Sequence, residues 1–494
     1  MRFKRVGMLA AAMALALSAC TDEPGPPEPP PSQEPPAFVV ATTVPVRNTD
    51  PVTAAGGADQ DFVVNVFQTL MKVPPGAQVL KPDLATDCGF FDGVLIYTCT
   101  LDPEAKFADG KPLTADDVAF SIERSRRLHP VDGPGSLWGS LDKIEVVDKT
   151  TVRFRLTRPD SQFGFALATP GAAIVPKAVY PPDKVLDNPA QTLGSGPYRV
   201  TSYRADRVEY EANEHYAGDT PARVLRVEVP VYPDSASVEE AMRAGEVQAV
   251  WRGLSSQAHT RMARQIEANG EHTDGGFARI TIAGGRVHRL MWQDSSSLGG
   301  DPVVRRLVRD ALQDERTLDS IVPPQLPGHR SSFVEGGQPD LAVPPGEPRE
   351  LRLVVEPTAP DATDQASTVR SRLEETGALR VTVVDPGEPA DLVLTDDPAP
   401  NSTAIAWARP YLDRPTHTTV TPLMLLRIAY GEATDEATRD TLMGRIQAMA
   451  ALDATVVPVW QSDEHLYIGQ GYVYDTGEIQ PGWQLGFWGF RTIG

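Results

Sequence analysis

Eight of the 13 residues from Pro24 to Pro36 are proline, and a run of that composition neither continues a helix nor enters the interior of a sheet. It favours extended, semi-rigid polyproline backbone, which buries no core. The folded part of this 494-residue chain is therefore expected from about Ala37 onward. What precedes the prolines has another character. Met1-Arg2-Phe3-Lys4-Arg5 is a basic head, Val6 to Leu17 an apolar run of 12, and Ser18-Ala19-Cys20 an end of small residues. That order reads as a secretory signal, and 12 residues are too few to span a hydrocarbon layer of about 30 Å.

Leu17-Ser18-Ala19-Cys20 resembles the lipobox of bacterial lipoproteins. The resemblance implies cleavage before Cys20, diacylglycerol on its thiol, and stable anchoring by two or three acyl chains at about 0.8 kcal/mol per buried methylene. Residues 1–19 are then a signal peptide and 20–37 a proline-rich linker or stalk. Removing the signal takes away three positive charges, so the full-chain net of −20 becomes 43 basic against 66 acidic residues, or −23, on the exported part. Such a charge argues against nucleic acid as a partner and leaves amine-bearing ligands open. At roughly 100–200 residues per domain the length allows about three domains.

Export places Cys88 and Cys99 where disulfides persist. Between them, two aromatic and β-branched runs flank Gly93, the pattern of a hairpin. A two-residue turn at Asp92-Gly93 would leave the two cysteines diagonal, about 7–8 Å apart. A turn at Gly93-Val94, or a four-residue loop Asp92–Leu95, sets them opposite each other, and a Cys88–Cys99 bond is expected.

Strand and helix patterns alternate through the rest. Thr151–Thr157 and Arg223–Val229 alternate at period two, as half-buried strands do. Thr114 before Asp116-Asp117, with Val118 and Ile122 four apart, reads as a helix start. Ser237-Val238-Glu239-Glu240 reads as a capping box, with Gly245 the stop. Asp301-Pro302 opens a helix with Val303, Val304, Leu307, Val308, Ala311 and Leu312 on one face. Gly336 to Pro348 reads as a linker or long loop. A mixed α/β organisation follows.

Signals of catalysis are absent. No serine has glycines at both −2 and +2. There is no His-Glu-x-x-His, no Cys-x-x-Cys and no Gly-x-x-x-x-Gly-Lys. The eight histidines, among them His129, His215, His288 and His465, are scattered. Adjacent carboxylates on a helix point to different sides, so Asp116-Asp117 suits the helix dipole rather than acid–base chemistry. Binding without a cofactor or metal is the simpler expectation, and a cell-surface hydrolase is the opposed class.

Phe107-Ala108-Asp109-Gly110-Lys111-Pro112-Leu113-Thr114-Ala115-Asp116-Asp117-Val118-Ala119-Phe120-Ser121 closely resembles the signature of the family 5 extracytoplasmic solute-binding proteins, the oligopeptide and dipeptide receptors of ABC importers. Gly194-Ser195-Gly196-Pro197-Tyr198, Asn213–Gly218, Ala241–Val247, Asp301–Val308 and Arg439–Val459 follow in the family's order. The resemblance implies an α/β periplasmic-binding-protein-like fold of class II, two lobes closing on a hinge with an extra domain on the first lobe. Residues 38–60, 192–260 and 465–494 would form lobe one, 61–191 the extra domain and 261–464 lobe two. It also implies a lipid-anchored extracytoplasmic monomer that hands short peptides to a permease without chemical change. A sensor or scaffold, or another solute such as nickel, haem or a sugar, is the alternative within the same fold.

In peptide-binding members the ligand lies as an extended strand between the lobes, and a second-lobe aspartate meets its ammonium. Here Thr42, Thr43 and Val44 would supply the first-lobe segment, and Thr395, Asp396 and Asp397 the second, with Asp396 or Asp397 at the ammonium. Trp292 and Trp407 are candidate cleft walls. The chain departs from the family in having Leu394 and Pro398 where aromatics flank that aspartate, and Gly336–Pro348 where a helix ends in Ala-Gly.

Overall fold

Phe38-Val39-Val40-Ala41 is apolar at four successive positions, the pattern of a strand covered on both faces. In the computed structural model it pairs in parallel with Arg226–Pro230 on one side and Ala249–Trp251 on the other. These belong to a ten-stranded sheet with the order 379–384, 349–355, 392–395, 277–292, 456–469, 249–251, 38–41, 226–230, 207–212, 198–204. The structure describes residues 36–54, 57–74, 79–91, 93–128, 138–333, 346–355, 361–396, 403–475 and 484–493. Cys20, His129, Asp397, Pro398 and most of Gly336–Pro348 lie outside them.

Two long strands hold the sheet together, Phe277–Trp292 and Val456–Gly469. Their antiparallel register runs from Phe277 opposite Gly469 to Ile282 opposite Glu464, breaks, and resumes from Arg286 opposite Ser462 to Met291 opposite Val456. The break is built by Ala283-Gly284-Gly285, with Gly284 at φ +61, a conformation that glycine takes without steric cost. Gly284 N–H donates to Asp463 Oδ1 at 2.9 Å and its carbonyl accepts from Gln461 Nε2 at 3.0 Å.

Packing separates the body into parts. On the 38–41 half, Phe38 and Val40 join one apolar cluster with Phe62, Val66 and Tyr198, while Ala41 joins another on the opposite face with Val238, Val250 and Met262. On the other half, Leu290, Leu351 and Leu392 fill one cluster and Trp407, Leu423 and Ile446 a second. Each half is thus a sheet covered on both faces, and together they make the two lobes. A fifth cluster, from Leu70 to Ile174, belongs to the extra domain. Its sheet has the order 85–91, 96–101, 151–156, 141–146, covered by the helix Ala115–Leu128.

In that sheet Cys88 stands opposite Cys99 and Phe91 opposite Ile96, so the strands end and resume as the four-residue loop requires. The two cysteines are bonded, with Cα atoms 4.1 Å apart. The ring they close is short, and replacing both by serine is expected to cost about 2–4 kcal/mol, read as a lowered unfolding midpoint.

Helix starts follow their side chains. Thr114 N–H and Oγ1 both donate to Asp117 Oδ2, at 3.1 and 2.9 Å, the half of a capping box in which the third residue's carboxylate reaches back, and this gives Asp117 a structural task. Asp301 caps Pro302–Ala311 through Val303 N–H at 2.8 Å, but Val303 itself is exposed and does not share the buried face of Val304, Leu307 and Val308. The expected capping box at Ser237 is corrected. The helix is Ser235–Ala244 and Asp234 is its cap, accepting from Ser237 N–H and Oγ at 2.8 Å each. An aspartate three residues earlier satisfies the same donors, and Ser237 becomes an interior residue of the first turn. Gly245, at φ 72, ends the helix as expected.

Gly194 and Gly196 stand where two backbones approach closely. A Cβ on Gly194 would stand 2.1 Å from the Val66 carbonyl oxygen, and one on Gly196 2.5 Å from the Val66 carbonyl carbon. The two backbones touch there, with Gly196 N–H donating to Val66 O at 2.9 Å. Among the described residues no helix is long and apolar enough to cross a membrane.

Candidate functional site

Where the sheet passes from one lobe to the other, the edges of both carry charge. The strand Ala249–Trp251 ends in Arg252, a non-glycine residue at φ 50. That left-handed turn is sterically costly, which makes it a candidate functional feature. Arg252 Nε lies 3.0 Å from Glu464 Oε2, both side chains nearly inaccessible. The Arg252 carbonyl accepts from Thr43 Oγ1 at 3.1 Å. Beside it Asp61, on the helix Gly57–Val66, accepts from Trp251 Nε1 at 2.8 Å and Leu485 N–H at 2.7 Å.

The second-lobe side is built on Arg286, the first paired residue after the glycine break. Its guanidinium sits between two carboxylates. Nε and Nη2 donate to Asp396 Oδ2 at 3.0 and 2.7 Å, and Nη1 and Nη2 to Asp361 Oδ2 and Oδ1 at 3.2 and 3.0 Å. His288 Nε2 is 3.8 Å from Asp396 Oδ1. Ser256 Oγ, on the first-lobe helix Ser256–Asn269, donates to Asp361 Oδ2 at 3.1 Å and so reaches the second lobe.

Burial and pairing set the charges. Burial alone would raise Asp396, but Arg286, with His288 and Arg252 adding, holds its carboxyl below the usual range. Asp361 is lowered against burial by the same arginine. Glu464 goes the other way, raised by burial more than Arg252 and Arg286 lower it. Burial pushes Asp61 up to about 6. His259 and His465, with ring centres 4.8 Å apart, are driven down to about 4, His259 by burial and then by His465, His465 by burial and then by Arg279. Both are neutral at pH 7.

The two imidazoles give a signed expectation. Their folded values lie below the unfolded 6.5, so the stability they contribute is full above pH 6.5 and is lost as pH falls toward 4. Asp61, raised, contributes with the opposite sign between about 6 and 3.8. His465→Gln should therefore gain on the wild type as pH falls from about 7.5 to 4.5, by on the order of 2 kcal/mol in urea unfolding. A difference that is constant across that range would remove the buried-neutral account.

Four polar atoms at this junction have no hydrogen-bond partner among the described residues: Arg252 Nε, Glu464 Oε2, Asp396 Oδ1 and His288 Nδ1. The first two face each other as an ion pair without hydrogen-bond alignment. Buried polar groups are costly unless bonded, so a cluster of them points to a ligand with donors and acceptors of its own. Among the described residues no group of three or more His, Cys, Asp or Glu could hold a metal ion.

The residues singled out from sequence divide. Thr43 and Asp396 are brought to the junction. Thr395, buried, precedes Asp396 at the end of its strand. Thr42 N–H donates to Pro230 O and its carbonyl accepts from Tyr232 N–H, so its backbone already belongs to a neighbouring strand. Val44 N–H donates to Thr42 Oγ1. Trp292 and Trp407 are packed in second-lobe cores, Trp292 among Leu290 and Val304, Trp407 among Leu412 and Leu423 under the Arg289 guanidinium. The tryptophan that meets the charged junction is Trp251. Arg252, Arg286, Asp361, Asp61 and Glu464 were not singled out, and the one local signal for any of them is Gly284-Gly285 interrupting a strand pattern just before Arg286.

Residues 79–322 match the sequence model of the bacterial extracellular solute-binding proteins, family 5, middle region. A probable D,D-dipeptide-binding periplasmic protein of Escherichia coli is 30% identical over 219 residues, which are 42% of each chain. A di/tripeptide-binding protein of Pseudomonas aeruginosa is 31% identical over 232 residues, 41% of each. The matched region thus spans less than half the length of these relatives. The fold match is wider. A dipeptide-binding protein from Pseudoalteromonas solved with Met-Leu superposes with TM-score 0.76 at 17% identity, over 93% of this chain and 100% of that one. A binding protein of Agrobacterium tumefaciens solved with agropinic acid gives 0.77 at 17% identity, over 93% and 99%. The two lobes, the extra domain on the first and the order of the sequence blocks agree with these matches, and the chain belongs to the bacterial extracellular solute-binding proteins of family 5, a family of receptors rather than catalysts.

Proposed function

We propose that the protein captures a short peptide between its lobes and delivers it to an ABC permease, acting as a monomer held on the outer face of a membrane through Cys20. The observation that carries the reading is the buried ionic junction shared by the lobes, with Asp396 Oδ1 lacking a protein donor and Arg252 Nε lacking an aligned acceptor. A carboxylate of that kind suits a peptide ammonium, and a charge-assisted bond in a desolvated site is worth more than a neutral one. Thr43 and Thr395 flank it as candidate main-chain partners, and Asp397 extends the same segment. The peptide-binding names of the relatives support this ligand class.

In this reading the hinge is the glycine break at residues 283–285 opposite 463. The bounds proposed here differ from those expected of the sequence. The first lobe takes 38–69, 175–282 and 464–493 instead of 38–60, 192–260 and 465–494, the extra domain 70–174 instead of 61–191, and the second lobe 286–462 instead of 261–464, because Phe62, Val66, Val175 and Tyr180 pack with the first-lobe cluster. A second reading, an amine-bearing solute other than a peptide, is favoured by one observation: Arg286 already occupies Asp396 Oδ2, which leaves a single oxygen for the ligand.

Mass spectrometry of whatever co-purifies with the native protein identifies the ligand directly. A binding peptide at a hundredfold excess over its dissociation constant should add about 2.7 kcal/mol of stability and be recovered unchanged. No thermal shift with any peptide pool, together with turnover of a generic ester or peptide, would reverse the assignment. Cys20→Ala should move the protein from the membrane fraction to the medium, and retention on the membrane would refute the anchor.

A further inference from the structure

Away from the ionic junction, the extra domain also touches the second lobe, and it does so at the end of a helix. The last carbonyls of the helix Val420–Glu432 have no donors within it, as in any α-helix. Ser161, on the segment that follows the extra-domain strand Thr151–Leu156, supplies two donors from outside. Its N–H donates to Gly431 O at 2.6 Å and its Oγ to Ala433 O at 2.7 Å. Within the second lobe, Arg439 Nη1 also donates to Ala433 O, at 3.1 Å. Asp160 stands against the same turn, and a Cβ on Gly431 would lie 3.1 Å from its Oδ1. That carboxylate is held in place, since Oδ2 accepts from Ser140 Oγ at 2.6 Å and Oδ1 from Gln162 N–H at 3.0 Å. The contact is therefore fitted to a glycine at 431.

The two attachments of the extra domain differ in strength. On one side the helix Ala115–Leu128, which covers its sheet, is bound to the turn at Asp50 by the fully buried Arg124–Asp50 pair. On the second-lobe side one serine makes two hydrogen bonds, and beside them the parts leave a space of about 120 Å³. Phe163 and Ala166 line it from the extra domain, Ile405 and Tyr430 from the second lobe. A boundary with a void forgoes the dispersion contacts of a packed core. Breaking a buried ion pair is far more destabilising than parting hydrogen bonds whose groups then meet water. When the lobes separate, the extra domain therefore stays with Asp50 and lets go of Gly431 and Ala433.

We propose that Ser161 is a latch between the lobes, capping the helix Val420–Glu432 from the extra domain and so holding part of the ligand-free population closed. Losing one of its hydrogen bonds shifts the ratio of closed to open molecules about two- to tenfold. The apparent affinity for any solute that binds the closed form falls with the closed fraction. The same contact has to part before a bound solute leaves. The inference deepens the reading of the chain as a two-lobed receptor, and it rests on the closing motion in that reading and on no particular ligand.

The test uses the full exported chain without ligand, so it does not depend on which solute the protein takes. Two variants loosen the contact in different ways. Ser161→Ala removes the bond to Ala433 O, and Gly431→Ala drives a Cβ against Asp160 while favouring the helix it sits in. Small-angle scattering should give each a larger radius of gyration than the wild type, and exchange of the residue 161 amide should quicken about two- to tenfold. Equal protection across Glu436–Asp453 in all three proteins shows that the second lobe is folded. An unprotected Ser161 amide in the wild type overturns the latch. So does a radius of gyration unchanged in either folded variant, even where exchange at 161 quickens. Both failures leave the peptide-receptor reading standing, and if Gly431→Ala does not fold, Ser161→Ala decides alone.

Discussion

Replacing Arg286 by methionine is expected to destabilise the protein by about 3–5 kcal/mol at neutral pH, the range for breaking a buried ion pair by removing one partner. Arg286 serves two carboxylates at once, Asp361 and Asp396, so its loss leaves both buried without their cation. The pH dependence identifies the cause. In the wild type both carboxyls are held below the ordinary range by that guanidinium, so the stability they contribute is present at neutral pH and fades as acid protonates them. In the variant burial acts unopposed by Arg286 and the carboxyls take up protons at higher pH. The gap between variant and wild type should therefore be widest near pH 7 and close toward pH 4. Adding Asp396→Asn to Arg286→Met should recover part of the loss, as partners in one network do not add. A gap under about 1 kcal/mol, or one indifferent to pH, would rule out the pairing as described.

The second large effect is expected at Arg124, far from the ligand. Its Nη1 and Nη2 donate to Asp50 Oδ1 at 2.9 Å and Oδ2 at 2.5 Å, with both side chains 1% exposed. Nε and Nη2 also donate to the carbonyls of Pro181 and Lys184, while Asp50 accepts from Val52 and Leu186 N–H. This one pair joins the helix Ala115–Leu128 to the turn at Asp50 and to residues 181–186. Arg124→Met should cost about 3–5 kcal/mol, and hydrogen exchange should rise first at residues 181–186. Protection in the second-lobe helix Glu436–Asp453 should be the last to fall. Uniform loss of protection in both places would show the pair to be a global rather than a junction element.

Features set by neighbours in sequence were legible, and features set by burial were not. Asp301-Pro302, Gly245 and the Cys88–Cys99 hairpin each announce themselves within a few residues, because a cap, a left-handed stop or a hairpin is a local arrangement. Asp234 and Ser237 offer the same capping chemistry three residues apart, and only the backbone decides between them. The charged junction is the opposite case. Asp61, Arg252, Arg286, Asp361, Asp396 and Glu464 are drawn from positions spread over some 400 residues, and none differs in type from a solvated surface charge. What distinguishes them is the low dielectric created when two lobes meet, and no periodicity in one strand encodes that. Asp396 was reached through the resemblance of its segment, whereas its partner Arg286 was not.

The position of Phe38–Ala41 inside the sheet sets the order in which the chain can assemble. The first folded strand to emerge has no partner until residues 226–230 and 249–251 follow it, nearly two hundred residues later. The long strand Phe277–Trp292 likewise waits for Val456–Gly469. Pairings so distant close late, because loop entropy must be overcome before contacts compensate. A chain threaded through a membrane from its N-terminus therefore emerges with its central strand unmatched, and the early products are the extra domain, whose cluster is contained within residues 70–174, and its disulfide. The sheet joining the two lobes is completed only when the C-terminal strand arrives, so a product cut short before Val456 lacks the partner of Phe277–Trp292.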